Sequence, residues 1–173
     1  MVVLNLGIAA SSNRGNRELA KKFVYSLPKE TRLFLGGYWG LMKDVADFSD
    51  ERGFQTIFIL PEGSEDHVPR RDNFILVNSG MEPRARSVTL CKSSDILVAL
   101  GGDSGTIIEI FMAYALKKPV IVLKGYGYHS DNLEKAFPTY LDSREITPVT
   151  YVNSPEEAAK EVMRYWEKRT KTY

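Results

Sequence analysis

One cysteine, two histidines and no long apolar run narrow this 173-residue sequence before any motif is read. With Cys91 alone, no disulfide can form within the chain. His67 and His129 cannot make up a zinc cluster of Cys/His spacing, so no metal site is expected. No stretch of apolar residues is long enough to span a bilayer. The apolar start MVVLNLGIAA lacks a basic leader and reads as a first strand, not a signal peptide, which makes a cytoplasmic protein the default. Charge of one sign is missing too: 23 Lys and Arg stand against 22 Asp and Glu, a net charge of +1. Nucleic acid and membrane surfaces are therefore not expected as partners. The sequence contains no GxxxxGK[ST], and GIAASSNRG after the first strand lacks the GxGxxG spacing, so P-loop ATP hydrolysis and NAD binding are set aside.

What is present is an alternation of strand and helix signals from end to end. VVLNLGI, RLFLGG, FQTIFIL, NFILVN, DILVAL, PVIVL and TPVTYV are short apolar runs rich in β-branched residues. Between them NRELAKKFVYSL, GLMKDVADFSDERG, MEPRARSVTLCKSS and SGTIIEIFMAYALKK carry helical spacing, the last followed by basic residues at its C-terminal end. SPEEAAKEVMRYWEKR opens on Ser154 with Pro155 next and Glu157 three residues on, a capping-box pattern. Residues 61–72 are polar, hold two prolines and read as an exposed loop. DILVAL and PVIVL are apolar on both faces, as parallel strands covered on both sides must be. These signals predict one α/β domain over residues 1–173, a Rossmann-like, doubly wound and mainly parallel sheet with helices on both faces.

Ligands of such sheets bind beyond the carboxyl ends of the strands. Two strand ends have the composition for it. In FLGGYWGLM, Gly36 and Gly37 precede Tyr38, Trp39 and Gly40, and Leu41 and Met42 begin a helix. In ALGGDSGTIIE, Gly101 and Gly102 precede Asp103 and Ser104, and Gly105 and Thr106 open a helix. Glycines let the backbone turn tightly and approach a ligand, and the unpaired N–H groups of a helix start suit a phosphate. Ser11 and Ser12, after the first strand, either hydrogen-bond a phosphate or ribose or cap the next helix. Tyr38 and Trp39 either stack on a base or pack internally.

Glu109 stands in an otherwise apolar run, Ile107-Ile108-Glu109-Ile110-Phe111-Met112-Ala113, about one turn inside the helix that Gly105 and Thr106 open. Its side chain can lean back toward the strand end. A helix N-terminus stabilises an acid, but burial among apolar neighbours costs free energy unless the acid is paired. Arg86 is the expected partner, with Arg84 read as a surface residue. Cys91 lies in an apolar helical pattern and reads as inert core. Tyr126, Tyr128 and His129 read as a mobile rim.

Together these stretches resemble a known family. LGGYWGLMKDVADFSDERG…TIFILP is similar to the GGGxxGLM…IGVIP region of the "lonely guy" superfamily, Rossmann-like proteins long labelled lysine decarboxylases. GGDSGTIIE resembles the family's PGGxGTxxE motif, and KPVIVLKGYGY its KPV…L…GYY segment. ARSVTLCKSSDILVALGG resembles a prokaryotic subgroup that includes molybdenum-cofactor-carrier-like proteins. The resemblance implies cleavage of the N-glycosidic bond of a nucleoside 5′-monophosphate, with Glu109 near the ribose, Arg86 beside it and Gly105 and Thr106 at the phosphate. It implies a homodimer or higher homo-oligomer and no cofactor. Three positions depart from the family pattern: Gly101 replaces a proline, Asp103 replaces a glycine, and Ser87 stands where plant-type enzymes carry a lysine.

The expected function is thus a nucleotide-binding protein, a phosphoribohydrolase acting on AMP-like substrates. The alternative is a carrier or sensor that binds a phosphorylated ligand such as molybdenum cofactor without turnover. Lysine decarboxylation is rejected, because no lysine sits in a recognisable pyridoxal setting.

Overall fold

Strands apolar on both faces are stable only when helices cover both sides of the sheet, and this chain is built that way. The computed structural model describes residues 2–171. In chain order its elements are β1 (Leu4–Ala10), α1 (Arg17–Tyr25), β2 (Thr31–Leu35), α2 (Gly40–Glu51), β3 (Gln55–Leu60), β4 (Phe74–Asn78), α3 (Pro83–Ser93) and β5 (Ile96–Gly101). There follow α4 (Ser104–Ala115), β6 (Val120–Leu123), the single-turn α5 (Leu133–Ala136), β7 (Val149–Val152) and α6 (Pro155–Thr170). All seven strands run parallel in one sheet, ordered β4-β3-β2-β1-β5-β6-β7. The expected Rossmann-like sheet is therefore present, and it is wholly parallel.

Helices α1, α2 and α6 pack on one face with Leu6, Ile8, Leu33, Phe58 and Val98. Helices α3 and α4 pack on the other with Ala9, Phe34, Leu97, Ala99 and Val122. Strand alternation sorts neighbouring residues to opposite layers, which is why Ile8 and Ala9 belong to different cores. Among the described residues no helix is long and apolar enough to cross a membrane.

Several helix ends are set by their own side chains. Asn16 Oδ1 accepts the Leu19 N–H at 3.0 Å, and Glu82 caps α3 by accepting from Ala85 at 2.6 Å. At α6 Ser154 Oγ accepts the Glu157 N–H, while the Glu157 carboxylate reaches back to the N–H of Asn153, one residue earlier than a standard capping box. Helix α4 stops at Ala115 because Lys117 takes φ +61° and the N–H groups of Lys117 and Lys118 fold back onto Tyr114 and Ala113. The two basic residues expected at the end of this helix lie just beyond it.

The chain leaves β1 toward one edge of the sheet and β5 toward the other, so the topological switch lies between these two strands. Their pairing slips there, from Ala9 opposite Ala99 to Ala10 opposite Gly101, passing over Leu100. Gly101 adopts φ +116°, and a Cβ on it would collide with the buried Tyr128 ring. Proline, the residue of the family motif at this place, has φ locked near −65° and cannot take this conformation. The GYGYH loop has claimed the space instead: Tyr128 donates to the Arg14 carbonyl, and the Arg14 guanidinium lies 3.9 Å from its ring centroid. Tyr128 is thus a fixed buried ring, which corrects the expectation of a mobile rim at this residue. Gly101→Ala should cost about 2–4 kcal/mol, a Tm lower by roughly 5–15 °C in a thermal melt, from backbone strain plus overpacking.

Candidate functional site

A cavity of about 540 Å³ opens over the switch point. Its walls come from five elements at the carboxyl edge of the sheet. These are the β1–α1 loop (Ser11, Ser12, Asn13), the β2–α2 turn with the start of α2, the segment after β3 (Pro61, Ser64), the start of α3, and the start of α4.

The β5–α4 turn supplies the polar end. Gly105 and Thr106 line the cavity together with Asp103 and Ser104. No protein acceptor takes the N–H groups of Ser104, Gly105 or Thr106 among the described residues, and the first turn bond of α4 runs from Ile107 to the Asp103 carbonyl. A Cβ on Gly105 would meet no protein atom within 4 Å, so its bare backbone keeps space open above the helix start. Asp103, at the N-cap position, does not cap. Its Oδ1 lies 2.6 Å from His129 Nδ1 instead, so the carboxylate is bonded to the His129 ring and not to these donors.

One turn further along α4, Glu109 faces the same cavity. It is 8% exposed. Arg86 Nη1 donates to Glu109 Oε1 at 3.2 Å and Ser87 Oγ donates to the same oxygen at 2.8 Å. No donor among the described residues takes Oε2. Burial raises the Glu109 carboxyl above the usual carboxylate range, against the pull of Arg86 and Ser87. Burial acts on Arg86 in the opposite sense, lowering it, although a guanidinium keeps its proton at any working pH. Arg86 reaches this position because Gly36 has no side chain, since a Cβ there would run into the guanidinium. Its Nε is buried with no acceptor among the described residues, a desolvation cost that packing alone does not explain.

The sequence candidates divide accordingly. Ser11, Gly36, Met42, Arg86, Gly105, Thr106 and Glu109 come together on the cavity wall. Gly37, Tyr38, Gly40, Leu41, Gly101 and Gly102 do not line it. Tyr38 turns into the packing between α2 and β4, edge-on to Phe58 and Phe74, with its hydroxyl donating to Asp47 at 2.5 Å. Burial and that carboxylate push the Tyr38 phenol up to about 12. Gly40, at φ +51°, and Leu41 dock on the β1–α1 loop, where the Leu41 N–H donates to the Ser11 carbonyl at 2.8 Å. The start of α2 is therefore used partly by the protein itself, whereas the start of α4 is left open. Gly102 backs the site from behind, bonded to the Ser130 backbone and hydroxyl. Ser11 Oγ accepts from Asn13 and Arg14 and so holds its own turn. Cys91 is buried and its thiol is pushed up to about 12, as expected for inert core.

Of the pair Tyr38 and Trp39 it is Trp39 that lines the cavity, Arg84 and Ile108 line it too, and Pro61 and Ser64 join the wall from the loop expected to be exposed. Ser64 and Val68 of that loop are buried. No periodicity marks them, because the loop folds inward through a short 3-10 turn at Glu65–His67. Among the described residues no group of three or more His, Cys, Asp or Glu side chains is placed to hold a metal ion.

A cavity at the switch point, a bare helix start and a buried glutamate one turn on from it form a pattern that can be compared with known proteins. The family described as SLOG cluster4 matches residues 2–159. This chain belongs to the SLOG cluster4 family.

An uncharacterized protein of Archaeoglobus fulgidus is 33% identical over 99 residues, 54% of this chain and 64% of that relative. The SLOG cluster4 chain thus spans less than two thirds of this relative's length. Among solved structures, TM1055 superposes with a TM-score of 0.83 and 28% identity, over 94% of this chain and 99% of that one. The molybdenum cofactor carrier protein of Chlamydomonas reinhardtii gives 0.73 and 25%, over 96% and 99%. The molybdenum cofactor binding protein of Rippkaea orientalis gives 0.76 at 24% identity, with the same coverage, a likeness of fold. These neighbours agree with the glycine motifs, which resemble the lonely guy superfamily and its molybdenum-cofactor-carrier-like subgroup.

Proposed function

We propose that this protein binds a nucleoside 5′-monophosphate, AMP-like, and hydrolyses its N-glycosidic bond. The observation that carries the reading is the spacing along α4. The open N–H groups of Ser104–Thr106 and the unpartnered Oε2 of Glu109 face one cavity, one helical turn apart. That turn, about 5.4 Å, is comparable to the span from a 5′-phosphate to the anomeric carbon of its ribose.

The phosphate sits at the start of α4, where backbone N–H groups and the helix dipole favour an anion. The anomeric carbon then lies beside Glu109. Departure of the base leaves an oxocarbenium-like ribose, by analogy with glycoside hydrolysis. The C–N electron pair goes to the base, water adds to the anomeric carbon, and the water proton passes through Glu109 to the departing base nitrogen. Arg86 and Ser87 fix Oε1, so Oε2 is the oxygen that meets the water. Nothing in this sequence of steps calls for a metal.

A second reading is a carrier that binds such a ligand without turnover. Ser87 favours it, because a neutral hydroxyl stands where plant-type enzymes place a second cation, and so does the likeness to a molybdenum cofactor carrier protein. A homo-oligomer belongs to either reading. The outward face of α4 presents Ile107, Ile108, Phe111 and Met112 along a second groove, an apolar strip of the kind a subunit contact covers.

The test is chromatography of free base after incubation with AMP and other nucleoside monophosphates, beside melting curves with each compound. Release of base together with ribose 5-phosphate is expected. Thermal stabilisation without base release would replace the hydrolase by the carrier. Gly105→Ala, which meets no protein atom, should fold normally and lose that stabilisation. Unchanged stabilisation would remove the phosphate from the start of α4.

A further inference from the structure

The far end of the cavity has no role in the chemistry above. Four wall residues make it up: Trp39 and Met42 from the β2–α2 region, and Pro61 and Ser64 after β3. Three are apolar. The fourth, Ser64, is 9% exposed, and its hydroxyl has no hydrogen-bond partner among the described residues. Its backbone is fully engaged, the N–H donating to the Pro61 carbonyl and the carbonyl accepting from His67. A hydroxyl on the cavity wall that no side chain or backbone group of the described residues engages is free to bond a ligand.

Trp39 is held rather than merely present. Its indole lies over Gly37, where any Cβ would collide with the ring, and His67 packs against it with ring centroids 5.4 Å apart at 55°. Gly37 thus shapes the site without lining it. Sheet order gives the scale. From β5, which carries the open helix start, to β3, which carries Ser64, there are three strand steps. At roughly 4.8 Å each this is about 14 Å, comparable to the length of a nucleoside monophosphate. The Arg86–Glu109 pair lies between the two ends, Arg86 being packed on Gly36 at the end of β2.

We infer that Trp39, Met42, Pro61 and Ser64 form a subsite for a planar, nitrogen-rich bicyclic heterocycle. Trp39 supplies the stacking surface and Ser64 Oγ hydrogen-bonds an edge nitrogen or carbonyl. This deepens the proposed function and rests on it for the placement of the sugar and phosphate. Purines and pterins share this chemistry, a flat π-face with alternating donors and acceptors on its rim. An aromatic face beneath and one hydroxyl at the edge accept either. Ser64 therefore acts as a specificity-determining residue and Trp39 as an affinity-determining one.

Intrinsic fluorescence tests the subsite directly. The chain has two tryptophans, Trp39 and Trp166. In a Trp166→Phe background Trp39 is the sole indole. Adenosine and neopterin, neither of which carries a phosphate, are titrated separately, with AMP and ribose 5-phosphate alongside. Quenching by at least one phosphate-free heterocycle is expected, and whichever quenches identifies the ring. In the Trp166→Phe protein, Ser64→Ala should weaken that ligand by about three- to tenfold. Trp39→Leu, followed by calorimetry, should weaken it roughly tenfold or more. Both variants should bind ribose 5-phosphate as the parent does, which also shows that they are folded. Equal losses for ribose 5-phosphate, or no quenching by any heterocycle, would overturn the subsite. Quenching by adenosine with no binding of ribose 5-phosphate would leave the subsite standing and sink the phosphate placement instead.

Discussion

Glu109→Gln should abolish base release while leaving AMP bound. The amide keeps an oxygen for Arg86 and Ser87, so the shape of the site is retained, but it can neither take a proton from water nor oppose positive charge on the ribose. A loss of about 10²- to 10⁴-fold in kcat is expected for a group in this role, with little change in AMP affinity. Steady-state kinetics and calorimetry on the two proteins decide it. Turnover within a few fold of wild type would take Glu109 out of the reaction. The pH profile gives an independent check. Because burial raises the Glu109 carboxyl, the carboxylate forms at higher pH than that of an ordinary glutamate. The acidic limb of kcat should therefore lie above the usual carboxylate range of about 4.3, and activity should rise with pH through that limb.

Arg86→Met should be the most destabilising of these changes. It leaves Glu109 buried with Ser87 as its one donor among the described residues, and breaking a buried pair from one side costs about 3–5 kcal/mol near neutral pH. For a chain of this length that is a Tm lower by roughly 6–20 °C. The cost depends on pH in a defined direction. A carboxyl raised in the folded state holds a proton that the unfolded chain has already released, in the window between about 4.3 and the folded value. Within that window the folded protein binds more protons than the unfolded one, so stability falls as pH rises and returns on acidification. Removing Arg86 takes away the largest influence opposing the rise and widens the window. Urea melts at pH 5 and pH 8 should show a larger loss for Arg86→Met at pH 8. Adding Glu109→Gln should remove that difference. A loss independent of pH would mean that Arg86 matters only as packing against Gly36.

The two variants bear on one pair but answer different questions. Glu109→Gln asks what the acid does to a ligand, and Arg86→Met asks what holding the acid in place requires. Read together they separate a catalytic group from a buried ion pair kept for the fold.

Much of this pair was legible in the chain itself. A glutamate among Ile107, Ile108, Ile110 and Phe111 conflicts with its surroundings, and a conflict of that kind marks a site or a strained position. Arg86 was legible mainly through its resemblance to a family motif. Its contact with Glu109 spans 23 residues and two elements, and no local spacing carries that information. Tyr38 and Trp39 show the reverse case. As neighbours in a glycine-rich turn they are equivalent on paper, yet Tyr38 turns into the Phe58–Phe74 packing while Trp39 faces the cavity. The bend that parts them is set by Gly37 and Gly40, whose Cβ positions are filled by Trp39 and by the backbone of Ser11 and Ser12.

The composition of the loop at 61–72 predicts exposure, and its prolines and charges support nothing more. Its Ser64 and Val68 are buried because Val68 packs with the core that α1, α2 and α6 share. Composition reports the average polarity of a segment and not which of its residues meets a surface supplied from elsewhere. The departures at Gly101 and Asp103 are likewise explained only in three dimensions. Tyr128, 27 positions beyond Gly101, fills the space over it, and the Asp103 carboxylate is bonded to the His129 ring.

By itself the sequence determined the alternation of elements, the double covering of the sheet and the two glycine turns at strand ends. These follow from local apolar period, turn chemistry and capping, which act over a few residues. Only the tertiary structure decided which glycine turn stays open, which aromatic faces the cavity, and that a serine from a polar loop lies buried at its wall. Those outcomes depend on parallel crossovers that bring β3, β2, β1 and β5 side by side. Side-chain volume is then allotted between elements far apart in the chain, and the first to fill a space excludes the others.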